Sequence, residues 1–167
     1  MYKSIFCKEL APIDGEEEFL DSIKANKMWW TAKNNDDGSL TFVADKPNAG
    51  FYMARLKKFP NIVNKILKVY PDVMIDNSYV TKCLPGYHMI PHVDANRTTA
   101  IIIPLGNNKG KISYYFKKWK IFTHTYQAPT LTRVNILHSA ENDSEENRYS
   151  ITIEVPGSYR TNFFKYQ

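Results

Sequence analysis

Leu84-Pro85-Gly86-Tyr87-His88-Met89-Ile90-Pro91-His92-Val93-Asp94, read with His138 and with Arg148-Tyr149-Ser150-Ile151-Thr152-Ile153-Glu154-Val155, decides how this chain is understood. His92 and Asp94 are two residues apart, and on extended backbone that spacing puts both side chains on one face. The same alternation puts Arg148 and Ser150 together on one side of a later strand, with Tyr149, Ile151, Ile153 and Val155 on the other. From Val73 onward, short runs of this kind recur between turn signals. Residues 75–84, 87–92, 98–105, 112–116, 121–126, 133–137 and 149–155 are expected to be strands. The breaks fall at Pro85-Gly86, Asp94-Ala95-Asn96, 106–110, 117–119, Ala128-Pro129 and 139–147. Seven or eight short strands at this spacing imply a sandwich or barrel.

The region before Val73 has another texture. Asp14 is placed to cap a helix through Glu16, Phe19, Leu20 and Ile23, with its acids in the first turn, where the helix dipole favours them. A turn cluster over 34–39 precedes a short strand over 40–43. Pro60 then opens a second helix whose Val63, Ile66, Leu67 and Tyr70 are spaced to face a core. Eleven tyrosines and nine phenylalanines in 167 residues add to the leaning toward sheet. The expectation is one domain, 1–167, mainly β with flanking helices, in which 1–71 supports a barrel core over 72–156.

Composition narrows the function classes. The net charge of +5 is a mild basic excess that could steer an anionic molecule or acidic partner to the surface. Its lysines and arginines are scattered rather than gathered in a stripe, which argues against nucleic acid as partner. Lys117-Lys118-Trp119-Lys120 reads as a solvated basic hairpin. Two distant cysteines, Cys7 and Cys83, make neither a disulfide framework nor a zinc knuckle. Charge interrupts the N-terminus before an apolar run forms, and no stretch is long enough to cross a bilayer, so the setting expected is cytoplasmic. Oligomeric state is left open.

The chemistry rests on His92, Asp94 and His138. Two imidazoles and one carboxylate make the 2-His-1-carboxylate set of non-haem iron(II) oxygenases, which leaves open positions for a chelating co-substrate and dioxygen. Arg148 supplies what these ligands lack. A 2-oxo acid that chelates through its keto and neighbouring carboxylate oxygens leaves a distal carboxylate, and a guanidinium grips such a group with two parallel hydrogen bonds. Ser150 can add a third. A His-x-Asp pair alone is weak evidence; its conjunction with a later histidine and an Arg-x-Ser in an all-β pattern is much stronger. Tyr79 and Tyr87 are candidates for a hydroxyl to the co-substrate, although aromatic residues on strands are more often core. Arg97 and His88 are candidates for substrate contact. Asn135 and Thr152 are placed to line the barrel, and His124 reads as structural.

From about Asp72 to Val155 the sequence resembles the double-stranded β-helix core, a jelly-roll or cupin-like barrel, of the 2-oxoglutarate/iron(II) oxygenases. Residues 84–92 are similar to the Pro-Gly-x-His-x-x-Pro-His stretch of the aspartyl/asparaginyl β-hydroxylase-like group, and the step from His138 to Arg148 matches as well. Likeness to prolyl hydroxylases is looser. Aspartyl β-hydroxylase lacks an acid at the position of Asp94, so this chain sits nearer the relatives that keep all three ligands. The resemblance implies Fe(II), 2-oxoglutarate and O2, with ascorbate as a possible reductant. It implies hydroxylation of a C–H bond of a free amino acid, peptide or protein side chain. Two rivals stand beside it. One is a nucleic-acid demethylase of the same fold, although the second arginine of those families has no counterpart after Arg148. The other is a cupin-like protein that binds a metal or ligand without catalysis.

Overall fold

β6 (Thr99–Leu105) is buried at every position, as a strand apolar on both faces must be when a layer covers each side. In the computed structural model, which describes residues 4–34, 40–44, 49–94, 97–107 and 110–166, the two layers differ in kind. Ile101, Ile103 and Leu105 join Val80, Leu131, Ile151, Ile153 and Val155 in a core against two helices. These are α1 (Glu16–Lys24), which buries Phe19 and Ile23, and α2 (Pro60–Val69), which buries Ile62 and Ile66 at helical spacing. Ala100 and Ile102 point the other way, into a second core with Ile112, Tyr114, Tyr126 and Val134. That second core is the interior of a barrel.

The larger sheet has eight antiparallel strands in the order β1-β9-β6-β11-β5-β4-β2-β3. They are β1 (Cys7–Glu9), β9 (Thr130–Arg133), β6, β11 (Arg148–Val155), β5 (Met74–Cys83), β4 (Phe51–Arg55), β2 (Trp30–Asn34) and β3 (Leu40–Ala44). The smaller sheet is β10 (His138–Glu141), β7 (Lys111–Phe116) and β8 (Trp119–Thr125), in the order β10-β7-β8. A short α3 (Tyr159–Lys165) follows β11, its start capped by the Ser158 hydroxyl. The architecture is the expected double-stranded β-helix, mainly β, with helices on one outer face. Among the described residues, no helix is long and apolar enough to cross a membrane.

Several local expectations need correction. Residues 87–92 form no strand, only isolated bridges from His88 to Glu141 and from His92 to His138. Pro91 has no N–H to give, and the register slips between the bridges. The expected strand over 133–137 is instead a crossing between sheets. β9 ends at Arg133, the Val134 N–H bonds to Thr98 O in one direction, and Leu137 O accepts from Tyr115 N–H in the other. Asp14 does not cap α1. Gly15, at φ +88°, takes the cap position and leaves Asp14 one residue too far out. Most of the turn expected over 34–39, residues 95–96 of the expected break after Asp94, and residues 108–109 of the 106–110 break lie outside the described residues.

Candidate metal centre

His92 and His138 face each other across a two-way backbone pair, each N–H donating to the other's carbonyl at 2.9 Å. Paired residues share a face, so both imidazoles turn to the same side, with ring centroids 4.6 Å apart. His138 also pairs with Tyr114, a residue of the barrel core, which fixes that side as the interior. Each ring commits Nδ1 to the carbonyl two residues before it, Ile90 O at 2.9 Å and Ile136 O at 2.8 Å. With Nδ1 held as donor, Nε2 keeps its lone pair free.

Asp94 completes the group. Its N–H donates to Val134 O at 3.0 Å, which aims the carboxylate at the two rings. Oδ1 stands 3.4 Å from His92 Nε2 and 4.0 Å from His138 Nε2, while Oδ2 accepts from Arg97 Nε at 2.5 Å. One ligand atom from each of the three residues lies within 4.8 Å of the others. Donors roughly 2.1 Å from a divalent ion at right angles stand about 3 Å apart, so a small closing movement suffices. The donor set therefore fits a metal. Burial pushes the Asp94 carboxyl up, but His92, Arg97 and His138 outweigh it and hold it well below the usual carboxylate range. Burial lowers both histidines. Asp94 and Ile90 reverse this at His92, which ends raised, whereas His138, 6% exposed, stays lowered. A metal needs an ionised carboxylate and neutral imidazoles; the lowered Asp94 and His138 lean that way, and the raised His92 leans against it.

Arg148 opens β11 on the interior face, paired with Cys83 of β5. It is 4% exposed, its guanidinium lies 5.2 Å from the Tyr126 ring centroid, and its Nε is buried with no hydrogen-bond acceptor among the described residues. Tyr126 packs in the same core as Tyr114, whose ring neighbours His138, so arginine and triad share one interior. Gly110 (φ +67°) makes room for this arginine: a Cβ there would stand 2.2 Å from Arg148 Cδ and Nε. A buried cation with an open donor fits an anionic ligand, as a 2-oxo diacid would be. Beside it, burial pushes the Cys83 thiol up to about 11 against the pull of Arg148. Cys7 is likewise buried and free, so neither thiol is reactive.

The remaining candidates divide. Ser150 lies on the same face as Arg148, but its hydroxyl is shared with Thr81 Oγ1 at 2.6 Å. Tyr79 stands farther along β5, with its hydroxyl accepting from Arg55 at 2.7 Å. Tyr87 lays its ring against Gly50. Arg97 does join the triad through Asp94, and its Nη1 is buried without a hydrogen-bond partner among the described residues. His88 does not. Glu141 and His138 are three residues apart on β10 and face opposite sides, so the residues bridged to them do too. His88 points outward, 2.6 Å from Asp143. Thr152 is buried within the barrel register, while Asn135 is exposed and bonded to Arg133. His124 is buried against Tyr126, as a structural residue would be. Reading residues in isolation missed Tyr126 and Gly110, because nothing in a lone tyrosine or turn glycine marks it as the wall of an arginine pocket. A cleft of about 500 Å³ opens beside Gly110, Lys111 and Asp143, and none of the three triad residues lines it.

Fold and site together define a double-stranded β-helix with two imidazoles and a carboxylate converging inside it. No family model and no curated protein matches the chain. Among solved structures, it is similar to the ribosomal oxygenase YcfD of Escherichia coli, with 11% identity, TM-score 0.51, and coverage of 92% of this chain and 47% of that one. This chain thus spans about half the length of that protein. It also matches a 2OG-Fe(II) oxygenase family oxidoreductase of Burkholderia pseudomallei, with 13% identity, TM-score 0.48, and 69% and 74% coverage. A Pseudomonas putida prolyl-4-hydroxylase matches with 10% identity, TM-score 0.47, and 90% and 92% coverage. At 11% identity the likeness to YcfD is one of fold.

Proposed function

We propose that this chain is an iron(II)- and 2-oxoglutarate-dependent oxygenase that hydroxylates a C–H bond of an amino acid, peptide or protein side chain, with residues 1–167 acting as one domain. The observation that carries the reading is a pairing inside one barrel. Ligand atoms of His92, Asp94 and His138, one from each, lie within 4.8 Å of one another, and a buried guanidinium has an Nε–H with no hydrogen-bond partner among the described residues. A buried donor left unsatisfied costs about 1–3 kcal/mol, a penalty that an incoming carboxylate removes.

In this reading His92, Asp94 and His138 hold the metal. The Ile90 and Ile136 carbonyls keep both histidines in the tautomer that presents Nε2. Arg97 occupies Oδ2 of Asp94 and leaves Oδ1 to bind as a single oxygen donor. Arg148 receives the distal carboxylate of 2-oxoglutarate, and the Ser150–Thr81 hydroxyl pair offers a proton beside it. When bound, iron(II) with 2-oxoglutarate and dioxygen supplies oxidation of a C–H bond to an alcohol, while the oxo acid becomes succinate and carbon dioxide. The apolar wall of Ile102, Ile112, Tyr114 and Val134 keeps water from the interior.

The test is incubation with iron(II), ascorbate and 2-oxoglutarate, followed by mass analysis of amino acids and peptides for a gain of one oxygen matched by succinate. Iron-dependent succinate with matched product supports the reading. No succinate from iron-loaded, folded protein refutes it.

A further inference from the structure

We infer that the β7–β8 hairpin is a docking lip for a polypeptide substrate that brings acidic and bulky apolar side chains to the metal centre. The inference rests on the oxygenase reading for the place of the chemistry, and on the hairpin itself for the partner. Tyr114 pairs with His138 across β10 and β7, so both face the interior. Phe116 is two residues further along β7 on that same face, about 7 Å on, and Trp119 is its cross-strand partner. These two rings therefore continue the interior face past the barrel's end, on the triad's side. There they are 64% and 66% exposed, although they are among the largest apolar side chains in the molecule.

The rest of the rim has the same character. Ile121, the residue added at the register shift on β8, is 53% exposed. Ile90, two residues before His92, is 79% exposed. Scattered apolar residues on a surface need no explanation, but a set of them around a reactive centre marks a place where something docks. A free amino acid would need polar partners for its charged ends, and this rim is apolar.

Charge selects the class of polypeptide. The turn is Lys117-Lys118, and Lys117 holds the left-handed conformation, φ 55°, where glycine or asparagine is easier. Among the described residues, neither lysine has a carboxylate partner; each lies only over its neighbouring ring, Phe116 or Trp119. Lys120, by contrast, is already paired with Glu141 on the outer face. Two unpaired cations flanked by exposed rings complement an acidic segment with bulky side chains. They are too few for a polynucleotide, whose affinity comes from a run of phosphate contacts.

The test measures binding of a random glutamate–tyrosine copolymer, polyglutamate, oligo(dT) and polylysine to the intact protein, by fluorescence anisotropy. Cobalt(II) and 2-oxoglutarate affinities are measured on the same samples. Wild type is expected to bind the glutamate–tyrosine copolymer in preference to the other three. Phe116→Ala with Trp119→Ala, and separately Lys117→Glu with Lys118→Glu, should each weaken that binding about tenfold or more, the loss expected when interface anchors are removed. Preference for oligo(dT), or unchanged affinity in the charge-reversed protein, overturns the inference. If the aromatic double variant also loses cobalt, its fold has suffered, and the charge reversal, which touches no core residue, decides alone. Copolymer binding without iron-dependent succinate would sink the oxygenase reading and leave the lip standing; succinate without copolymer binding would do the reverse.

Discussion

Gly86 and Gly110 hold almost the same backbone angle, φ +66° and +67°, in opposite surroundings. A Cβ at Gly86 would meet nothing within 4 Å, whereas at Gly110 it would stand 2.2 Å from both Cδ and Nε of Arg148. The two alanine variants therefore share one backbone strain and differ in one collision. The strain costs about 1–2 kcal/mol, partly offset by about 0.4–1 kcal/mol from a stiffer unfolded chain. Gly86→Ala should thus lower Tm by only a few degrees, at roughly 2–4 °C per kcal/mol for a chain of this size. In Gly110→Ala, Arg148 must retreat by more than 1 Å to restore ordinary contact of about 3.5 Å, and it is walled by Tyr126 and Cys83. Overpacking of this kind adds about 1–3 kcal/mol, and the displaced guanidinium should weaken 2-oxoglutarate binding about tenfold or more. Thermal unfolding and calorimetric titration of 2-oxoglutarate, with manganese(II) in place of iron, read both effects. Equal Tm losses in the two variants, with co-substrate affinity intact in Gly110→Ala, would refute the idea that this glycine shapes the arginine pocket.

Three further outcomes follow from the same geometry. His138→Ala should abolish metal binding and also lower stability by about 1–3 kcal/mol, because the ring is buried and Ile136 O loses its donor; unchanged thermal unfolding would show that the ring is no packing element. Arg148→Lys should keep manganese(II) affinity and lose 2-oxoglutarate affinity by about 1.5–3 kcal/mol, since lysine keeps the charge without the planar fork; equal co-substrate affinities in the two proteins would remove Arg148 as anchor. Asp94→Ala should weaken iron(II) binding beyond the loss of one ligand, because Arg97, which Asp94 now holds at 2.5 Å, would be left as an uncompensated cation beside the ion. An activity curve against iron(II) that overlays wild type would make Asp94 a loop residue.

Alternation made the barrel legible. β5, β6, β7 and β11 fall within a residue or so of where period-two patterning puts them, and Arg148 and Ser150 face inward as that pattern requires. Patterning failed where the chain changes sheets. The run over 133–137 is apolar enough to read as one strand, yet its backbone hydrogen bonds go to two sheets. It failed again over 87–92, because a register slip reverses a side chain's face without any mark in composition; His88 and His92, an even number apart, end on opposite sides. β1 is three residues long and depends on β9 for its existence, so local sequence carries little sign of it. Of the candidate site, the ligand types and the arginine could be read from spacing. Their surroundings could not, since Tyr126, Gly110 and the Ile90 and Ile136 carbonyls meet the site only through tertiary contact. His138 follows the run over 133–137 directly in sequence, yet it is buried as the first residue of β10 in the other sheet.

Cobalt(II) titration followed by addition of 2-oxoglutarate, read in the visible spectrum under exclusion of air, bears most directly on the centre itself. The account predicts one ion per chain, a spectral change when 2-oxoglutarate is added, loss of the ion in His138→Ala, and retention of the ion without the 2-oxoglutarate response in Arg148→Lys. Cobalt bound equally well by wild type and by His138→Ala, with a spectrum indifferent to 2-oxoglutarate, would contradict it.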